Sequence, residues 1–349
     1  MADTVADVVV IGAGVMGSSA AWQLARRGKT VSVIEQFEPL HHLGSSHGAT
    51  RIFRVSYRHP TYVELALEAL VGWRELERIS GEHLLEQTGQ LDHGIEAVIT
   101  GIADNLERAG FPGEQMTATE AHRRWPHLRF DRAVLHSPDG GRVFAERTLR
   151  ALHRLSSELG VGLSFRETVR SIERTDNGVV VHTDHRTVRA ELAVVAAGAW
   201  VRELVPADVP MPPVTVVTSV PVHFRPRDAS QRWPSFLHHR DASAGELAFG
   251  AYGLESPGEG VKVGVDGATT VSEVAEYVSE WHPGLAPTPT SSASCLFTST
   301  ADEHFVIERH GPIVICSPCS GHGFKFAPVI GRLVAELCDG QPARYAFAG

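Results

Sequence analysis

The run DVVVIGAGVMGSSAAWQLARRGKTVSVIEQ, near the start of the chain, limits the fold more than any other stretch. Val8 to Ile11 are continuously apolar, as in a parallel strand buried on both faces. Gly12, Gly14 and Gly17 follow at once in G-x-G-x-x-G spacing. Ala20, Ala21, Leu24 and Ala25 recur at helical spacing, and Gly28 stands where a left-handed residue ends such a helix. Val31 to Ile34 then read as a second strand that finishes at Glu35. Gly12 permits the tight turn, Gly14 lets backbone approach a pyrophosphate, and Gly17 lets helix and strand pack closely. The helix N-terminus offers free N–H groups to the phosphates. Glu35, 18 residues beyond Gly17, is placed to accept hydrogen bonds from ribose hydroxyls. These parts together specify a dinucleotide-binding unit. The motif alone does not separate NAD from FAD; Glu35 argues against NADP, because a carboxylate repels a 2′-phosphate.

The chain as a whole is too long for one compact core, since 349 residues imply two lobes. Its net charge of −9 is spread through mixed sequence without a Lys/Arg block, which speaks against a nucleic-acid face. An anionic substrate would need a local positive site. Four cysteines make no disulfide framework. The stretch MADTVADVVVIGAG has no basic n-region, and its apolar run is too short for a signal peptide or membrane span. The expected setting is a reduced cytoplasm, with no membrane partner.

Periodicity predicts helices over 61–79, with Tyr62, Leu65, Ala69, Trp73 and Leu76 on one stripe, and over 95–109, stopped by Gly110. A third covers 145–159, with Leu149, Leu152 and Leu159 inward, and others cover 271–281 and 327–338. Strands are expected at 164–175, at Val179 to Thr183 after an Asn-Gly turn, and at Ala190 to Ala196. Further strand signals lie in PPVTVVTSVPVHF, ELAFGAY, GVKVGVD and PIVICS. The last helix and the first strand are expected to share one domain, giving two interleaved domains.

Three stretches carry candidate chemistry. GSSHGATRIFR, residues 44–54, combines small residues with Arg51 and Arg54; glycine lets backbone approach a ligand, and arginine suits a carboxylate. SGHGFKF, residues 320–326, flanks His322 with glycines and places Lys325 between phenylalanines. It reads either as a surface lysine with a buried stem or as a cation presented to a bound anion. Cys295 heads the strand-like CLFTSTADEHFVIE and could be a packing residue, a ligand, a nucleophile or a tether. Cys316 and Cys319 form C-x-x-C without the further ligands of a zinc site or the helix of a redox motif, so they read as inert thiols. Cys338 reads as core. No G-x-S-x-G elbow supports a serine hydrolase.

The N-terminal fingerprint, SSHGATRIFR, RWP at 124–126, GAW at 198–200, CLFTSTADEHFVI and SGHGFKF occur in the order found in one family. The chain resembles the monomeric sarcosine oxidase and N-methyltryptophan oxidase family of FAD-dependent amine oxidases, nearly end to end. The resemblance implies an α/β fold: an FAD-binding, Rossmann-like domain of glutathione-reductase type over 1–85, 143–212 and 286–349. This interleaves with an α+β substrate domain on an antiparallel sheet, over 86–142 and 213–285. It implies FAD held covalently through Cys295. It places cofactor contacts at Ile11, Gly12, Gly14, Val15, Met16 and Gly17, at Glu35 and Gln36, and at Ser45, Ser46, His47, Thr50 and Arg51. Further contacts fall at Val169, Ala197, Gly198 and Trp200, and at Gly321, Gly323, Phe324 and Lys325. Arg54 and Lys325 match the pair that grips the substrate carboxylate. Lys262 matches the lysine that promotes reaction with oxygen, where a fixed positive charge stabilises developing negative charge. Two positions depart from the family: Asp266 stands where histidine is frequent, and Phe249 is aligned with a tyrosine near the substrate.

The implied activity is oxidation of a C–N bond in an amino acid by a monomer, with molecular oxygen as acceptor and hydrogen peroxide as product. A secondary amine such as an N-methyl amino acid is the first candidate substrate; a cyclic imino acid or biosynthetic intermediate is the second. The rivals are a flavin dehydrogenase with another acceptor or a 2-hydroxy acid substrate, an NAD-dependent dehydrogenase, and a flavin-binding protein without activity.

Overall fold

A computed structural model describes residues 4–240 and 250–347. Its architecture is α/β with two large sheets facing each other across a cavity. In the first sheet Thr4–Ile11 lies between two parallel neighbours, Val31–Ile34 and Thr187–Val195. Gly162–Ser164 extends the sheet beyond Val31–Ile34. Thr187–Val195 serves two partners along its other edge. Its first half takes the hairpin Val169–Thr175/Gly178–Thr183, and its second half takes Ile313–Ser317 in parallel. Val306–His310 closes that side.

The continuous apolar run of the first strand follows from this position. Val8 and Val10 pack under the helices Val15–Arg26, Ala145–Glu158 and Ala327–Cys338, whereas Val9 and Ile11 face a second apolar cluster beneath the hairpin. A two-faced burial leaves no site for a polar residue. The first and last helices touch so closely that a Cβ on Gly331 would lie 2.3 Å from Ser19 Oγ. Ser19 Oγ donates instead to the Ala327 carbonyl at 2.7 Å.

The second sheet is antiparallel except where Ser235–His239 runs parallel to Gln90–Gly94. Its order is Leu285–Ser292, Val222–Pro226, Gly260–Val265, Ala251–Ser256, Ser235–His239, Gln90–Gly94, Ala133–Ser137 and Glu114–Met116. Alternation divides its side chains. Val222, Phe224, Val261 and Val263 pack with the helix Val271–Trp281, which starts at a capping box of Thr270 and Glu273. His223, Leu237, Tyr252 and Lys262 point the other way, into the cavity.

Two expectations are corrected. The strand expected at 164–175 is two strands, interrupted near Arg166, whose φ of 60° breaks the extended path. Leu159 is 48% exposed, because the helix ends at Glu158 and Leu155 takes the inward place one turn earlier. The alternating run before residue 226 supplies two sheets: Val214–Ser219 pairs with Cys295–Thr300, and Val222–Pro226 enters the large sheet. Among the described residues no helix is long and apolar enough to cross a membrane.

The outer face of the second sheet buries several histidines. His93 and His238 stack at 4.2 Å between ring centroids. Burial pushes His238 and His282 down to about 3, and His93 well below its ordinary range. These rings are neutral in the fold but take up protons when unfolded. Their stabilisation is complete above about pH 6.5 and is lost as pH falls toward the folded values. Chemical denaturation between pH 7.5 and 5 is expected to show stability falling by about 2 kcal/mol for each such group. In His282→Phe the slope should be shallower by one group; an unchanged slope would remove His282 from this account.

Candidate active site

A cavity of about 860 Å³ opens at the carboxyl ends of the parallel strands, where Ile11, Ile34, Ala196 and Ser317 meet it. This is where open α/β sheets bind ligands, and the volume is in the upper part of the range for cofactor and ligand sites.

At one end the glycine turn forms the wall. Gly12 has φ +102°, and a Cβ there would lie 2.5 Å from the Ala196 carbonyl oxygen. A Cβ on Gly17 would lie 1.9 Å from the Gly12 oxygen, so Gly17 serves helix packing and does not line the cavity. Ala13 N–H donates to Glu35 Oε2 at 2.8 Å, and Phe37 N–H to Glu35 Oε1 at 3.0 Å. The buried Glu35 carboxylate is therefore fixed at the mouth of the turn. Val15 N–H donates to Ser46 Oγ at 3.0 Å, which joins the helix N-terminus to the loop at 44–49. Gly14, Met16, Gln36, Val169, Ala197, Gly198 and Trp200 complete this end.

In the middle, Arg51 donates to the carbonyls of Ser45 at 2.8 Å, His47 at 2.7 Å and Thr50 at 2.9 Å. One guanidinium thus shapes the loop around itself. Ser45 Oγ donates to the Leu296 carbonyl, bringing the strand that begins with the partly exposed Cys295 beside Arg51. Lys262 Nζ donates to the Thr50 carbonyl at 2.6 Å. Burial, and then the Arg51 charge, pushes Lys262 down to about 7. Thr50 itself lies behind the wall and acts through its carbonyl. Burial, with Arg51 next, lowers His47 to about 4, so its ring is neutral.

At the far end Arg54 donates to the Ser56 carbonyl at 2.7 Å, with its guanidinium 3.8 Å from the Tyr57 ring centroid. Lys325 Nζ donates to the His322 carbonyl at 2.6 Å, and the Lys325 carbonyl accepts from Trp73 Nε1 at 2.7 Å. Burial and then Arg54 hold Lys325 well below its ordinary value. Gly321, Gly323 and Phe324 lie on the same wall. Arg51, Arg54, Lys262 and Lys325 therefore converge on one cavity, each donating to a backbone carbonyl, an arrangement poised for anions.

Asp266 lies on the wall, while Phe249 falls outside the described residues. Three positions later, Tyr252 lines the cavity opposite Gly264, where a Cβ would come within 2.3 Å of the Tyr252 ring. Burial raises its phenol to about 12. Sequence reasoning missed Tyr252, His223 and Phe297. The available signal was phase: Tyr252 and Leu254 alternate with core residues, and His223 stands directly opposite Lys262. Cys316 and Cys319 also touch the cavity, but burial lifts Cys316 to about 12 and raises Cys319 as well, suppressing the thiolates.

The site and fold define a flavin-type oxidoreductase, and comparison with known proteins agrees. Residues 7–337 match the FAD dependent oxidoreductase family. The chain is 34% identical to monomeric sarcosine oxidase of Streptomyces avermitilis, over 95% of this chain and 93% of that protein. It is 29% identical to N-methyl-L-tryptophan oxidase of Salmonella enteritidis, over 97% and 96%. The open form of NikD, an unusual amino acid oxidase essential for nikkomycin biosynthesis, superposes with a TM-score of 0.86 at 27% identity, covering 98% of this chain and 96% of that one. The chain belongs to the family of FAD-dependent oxidoreductases.

FAD fits what the residues offer: a glycine face without room for Cβ atoms, a fixed carboxylate for a ribose, and buried cations along the rest of the cavity. Gly12→Ala tests this face. Its positive φ and the Ala196 carbonyl should together destabilise the protein by about 3 kcal/mol. Thermal unfolding should show the loss, and the purified protein should be depleted of flavin absorbance; normal stability and normal colour would contradict the close approach.

Proposed function

We propose that the protein oxidises the C–N bond of a secondary amino acid, with an N-methyl amino acid as first candidate, giving an imine and hydrogen peroxide. The observation that carries this reading is the pair of buried cations, Arg54 and Lys325, at the end of a dinucleotide cavity. FAD, when bound, supplies a two-electron acceptor for the hydride beside nitrogen and passes the electrons to oxygen. The chain's own residues do the rest. Arg54 presents a planar fork and Lys325 a point charge to a carboxylate, in a site where charge-assisted bonds are shielded from water. The carboxylate in turn raises Lys325 back toward its ordinary value, so binding restores the ammonium. Holding the carboxylate orients the opposite, amine end toward the middle of the cavity.

Cys295 is the tether for the flavin in this reading, and Lys262 with Arg51 places positive charge where oxygen is reduced. The cofactor part is taken as 1–85, 143–212 and 286–349 and the substrate part as 86–142 and 213–285, with the strand Leu285–Ser292 straddling the last boundary. A cytoplasmic monomer belongs to the same reading. A second substrate class, a cyclic imino acid or biosynthetic intermediate, is favoured by Asp266, which puts an acidic group on the wall where the family frequently has histidine.

Two measurements test the assignment. After acid precipitation the yellow colour should stay with the protein, and in Cys295→Ser it should pass to the supernatant; colour retained by the serine variant would place the tether elsewhere. Arg54→Ala should raise KM for the amino acid about 10- to 100-fold, the worth of one charge-assisted bond, while flavin stays bound. A KM within twofold of the parent would exclude Arg54 from carboxylate binding.

A further inference from the structure

His223 stands directly opposite Lys262 on adjacent antiparallel strands. Side chains so paired have Cβ atoms about 5 Å apart, and both of these line the cavity. His223 Nε2 lies 3.3 Å from Oε2 of Glu259, and its Nδ1 lies 3.2 Å from Ser291 Oγ. The exposures run in sequence: the Glu259 side chain is 45% exposed and that of His223 9%, while Lys262 is buried. An acid in contact with water, an imidazole behind it and an ammonium at the cavity thus form a graded series. Neither His223 nor Glu259 belongs to a motif that marks it in the sequence.

We propose that Glu259 and His223 form a proton path from solvent to Lys262, serving the reduction of oxygen. The inference rests on the reading of Lys262 given above. Conversion of O₂ to H₂O₂ takes two electrons and two protons. The substrate C–H supplies two electrons and one proton as a hydride equivalent. The second proton is matched by the one lost from the substrate nitrogen as the imine forms. That proton, or an equal one from solvent, has to reach the Lys262 side, where oxygen is reduced in this reading. Imidazole is the side chain suited to both accepting and donating it near neutral pH.

The electrostatic surroundings are consistent with transfer. Burial and then Lys262 lower His223, and Glu259 opposes that shift. Lys262 is lowered to about 7 by burial and then Arg51, with Glu259 and Cys295 acting in the opposite sense. His47 also senses the Lys262 charge. Lys262 lowers the proton affinity of the imidazole it faces, and burial lowers its own, so the charge is not held fixed on either.

The test uses the holoenzyme of His223→Gln and Glu259→Gln, with Lys262→Met as the control. Glutamine keeps a polar partner at 223 but does not carry a proton; Glu259 is an exposed turn residue, so its variant preserves the fold. In His223→Gln, anaerobic reduction by substrate should stay within twofold of the parent. Reoxidation by oxygen should slow at least tenfold above pH 8, and added imidazole should restore it. The chain has three lysines, Lys29, Lys262 and Lys325, so ¹⁵N-lysine NMR can follow the Lys262 titration separately. Glu259→Gln should move that titration to lower pH. Reoxidation within twofold of the parent, or slowing that is equal at every pH and insensitive to imidazole, overturns the path. So does a Lys262 titration unmoved in Glu259→Gln. If Lys262→Met reoxidises at the parent rate, the oxygen role of Lys262 fails; if only that variant is slow, Lys262 keeps its role and the path alone is lost.

Discussion

The contact between the Gly12 turn and the Ala196 carbonyl underlies the whole site. It requires a residue with positive φ and no Cβ at the end of the first strand, and it sets that turn against a strand nearly two hundred residues later in the chain. Gly17 repeats the second requirement alone, the absence of a Cβ, against the Gly12 oxygen itself. With both contacts closed, the helix N-terminus, the Glu35 carboxylate and the ends of three parallel strands converge at one edge of the cavity. Neither contact is strong in itself. Each excludes alternatives, because a side chain at either position would push helix and strand apart.

Against this rigid edge the molecule keeps an unusual concentration of buried positive charge. Removing a cation from water is costly unless partners replace the hydration. Here they are backbone carbonyls: Ser45, His47 and Thr50 for Arg51, Ser56 for Arg54, Thr50 for Lys262 and His322 for Lys325. A carbonyl dipole offsets part of the desolvation without neutralising the charge, so the cations remain available to an anion. The depressed proton affinities of Lys262 and Lys325 record how incomplete that compensation is. The Thr50 carbonyl receives both Arg51 and Lys262, which couples the loop at 44–51 to the second sheet at one atom.

The second sheet contributes through phase. A pleated strand sends alternate side chains to opposite faces, so Val261 and Val263 build the core while Lys262 between them reaches the cavity. The same alternation delivers His223 from the neighbouring strand and Tyr252 from the next. Sequence spacing to the fingerprint says nothing about these positions; they are near it because two sheets face each other.

The sequence alone makes the dinucleotide unit legible, since a continuous apolar run, the glycine spacing and the position of Glu35 all lie within one short stretch of chain. It also determined the long helices at Pro60–Ser80, Ala145–Glu158 and Ala327–Cys338, whose apolar stripes and stop residues need no distant partner to be read. Short strands such as Gln90–Gly94, with a buried glutamine, aspartate and histidine, carry no comparable pattern, because cross-strand neighbours and not their own composition make them strands. The motif loops marked Arg51, Arg54 and Lys325 as chemically suggestive. It takes the folded molecule to show that they share a cavity with Lys262, that Tyr252 occupies its wall, and that His223 backs onto an exposed acid. Those facts depend on sheet register and on the facing of two sheets, which are set by long-range pairing and cannot be encoded in any single stretch of chain.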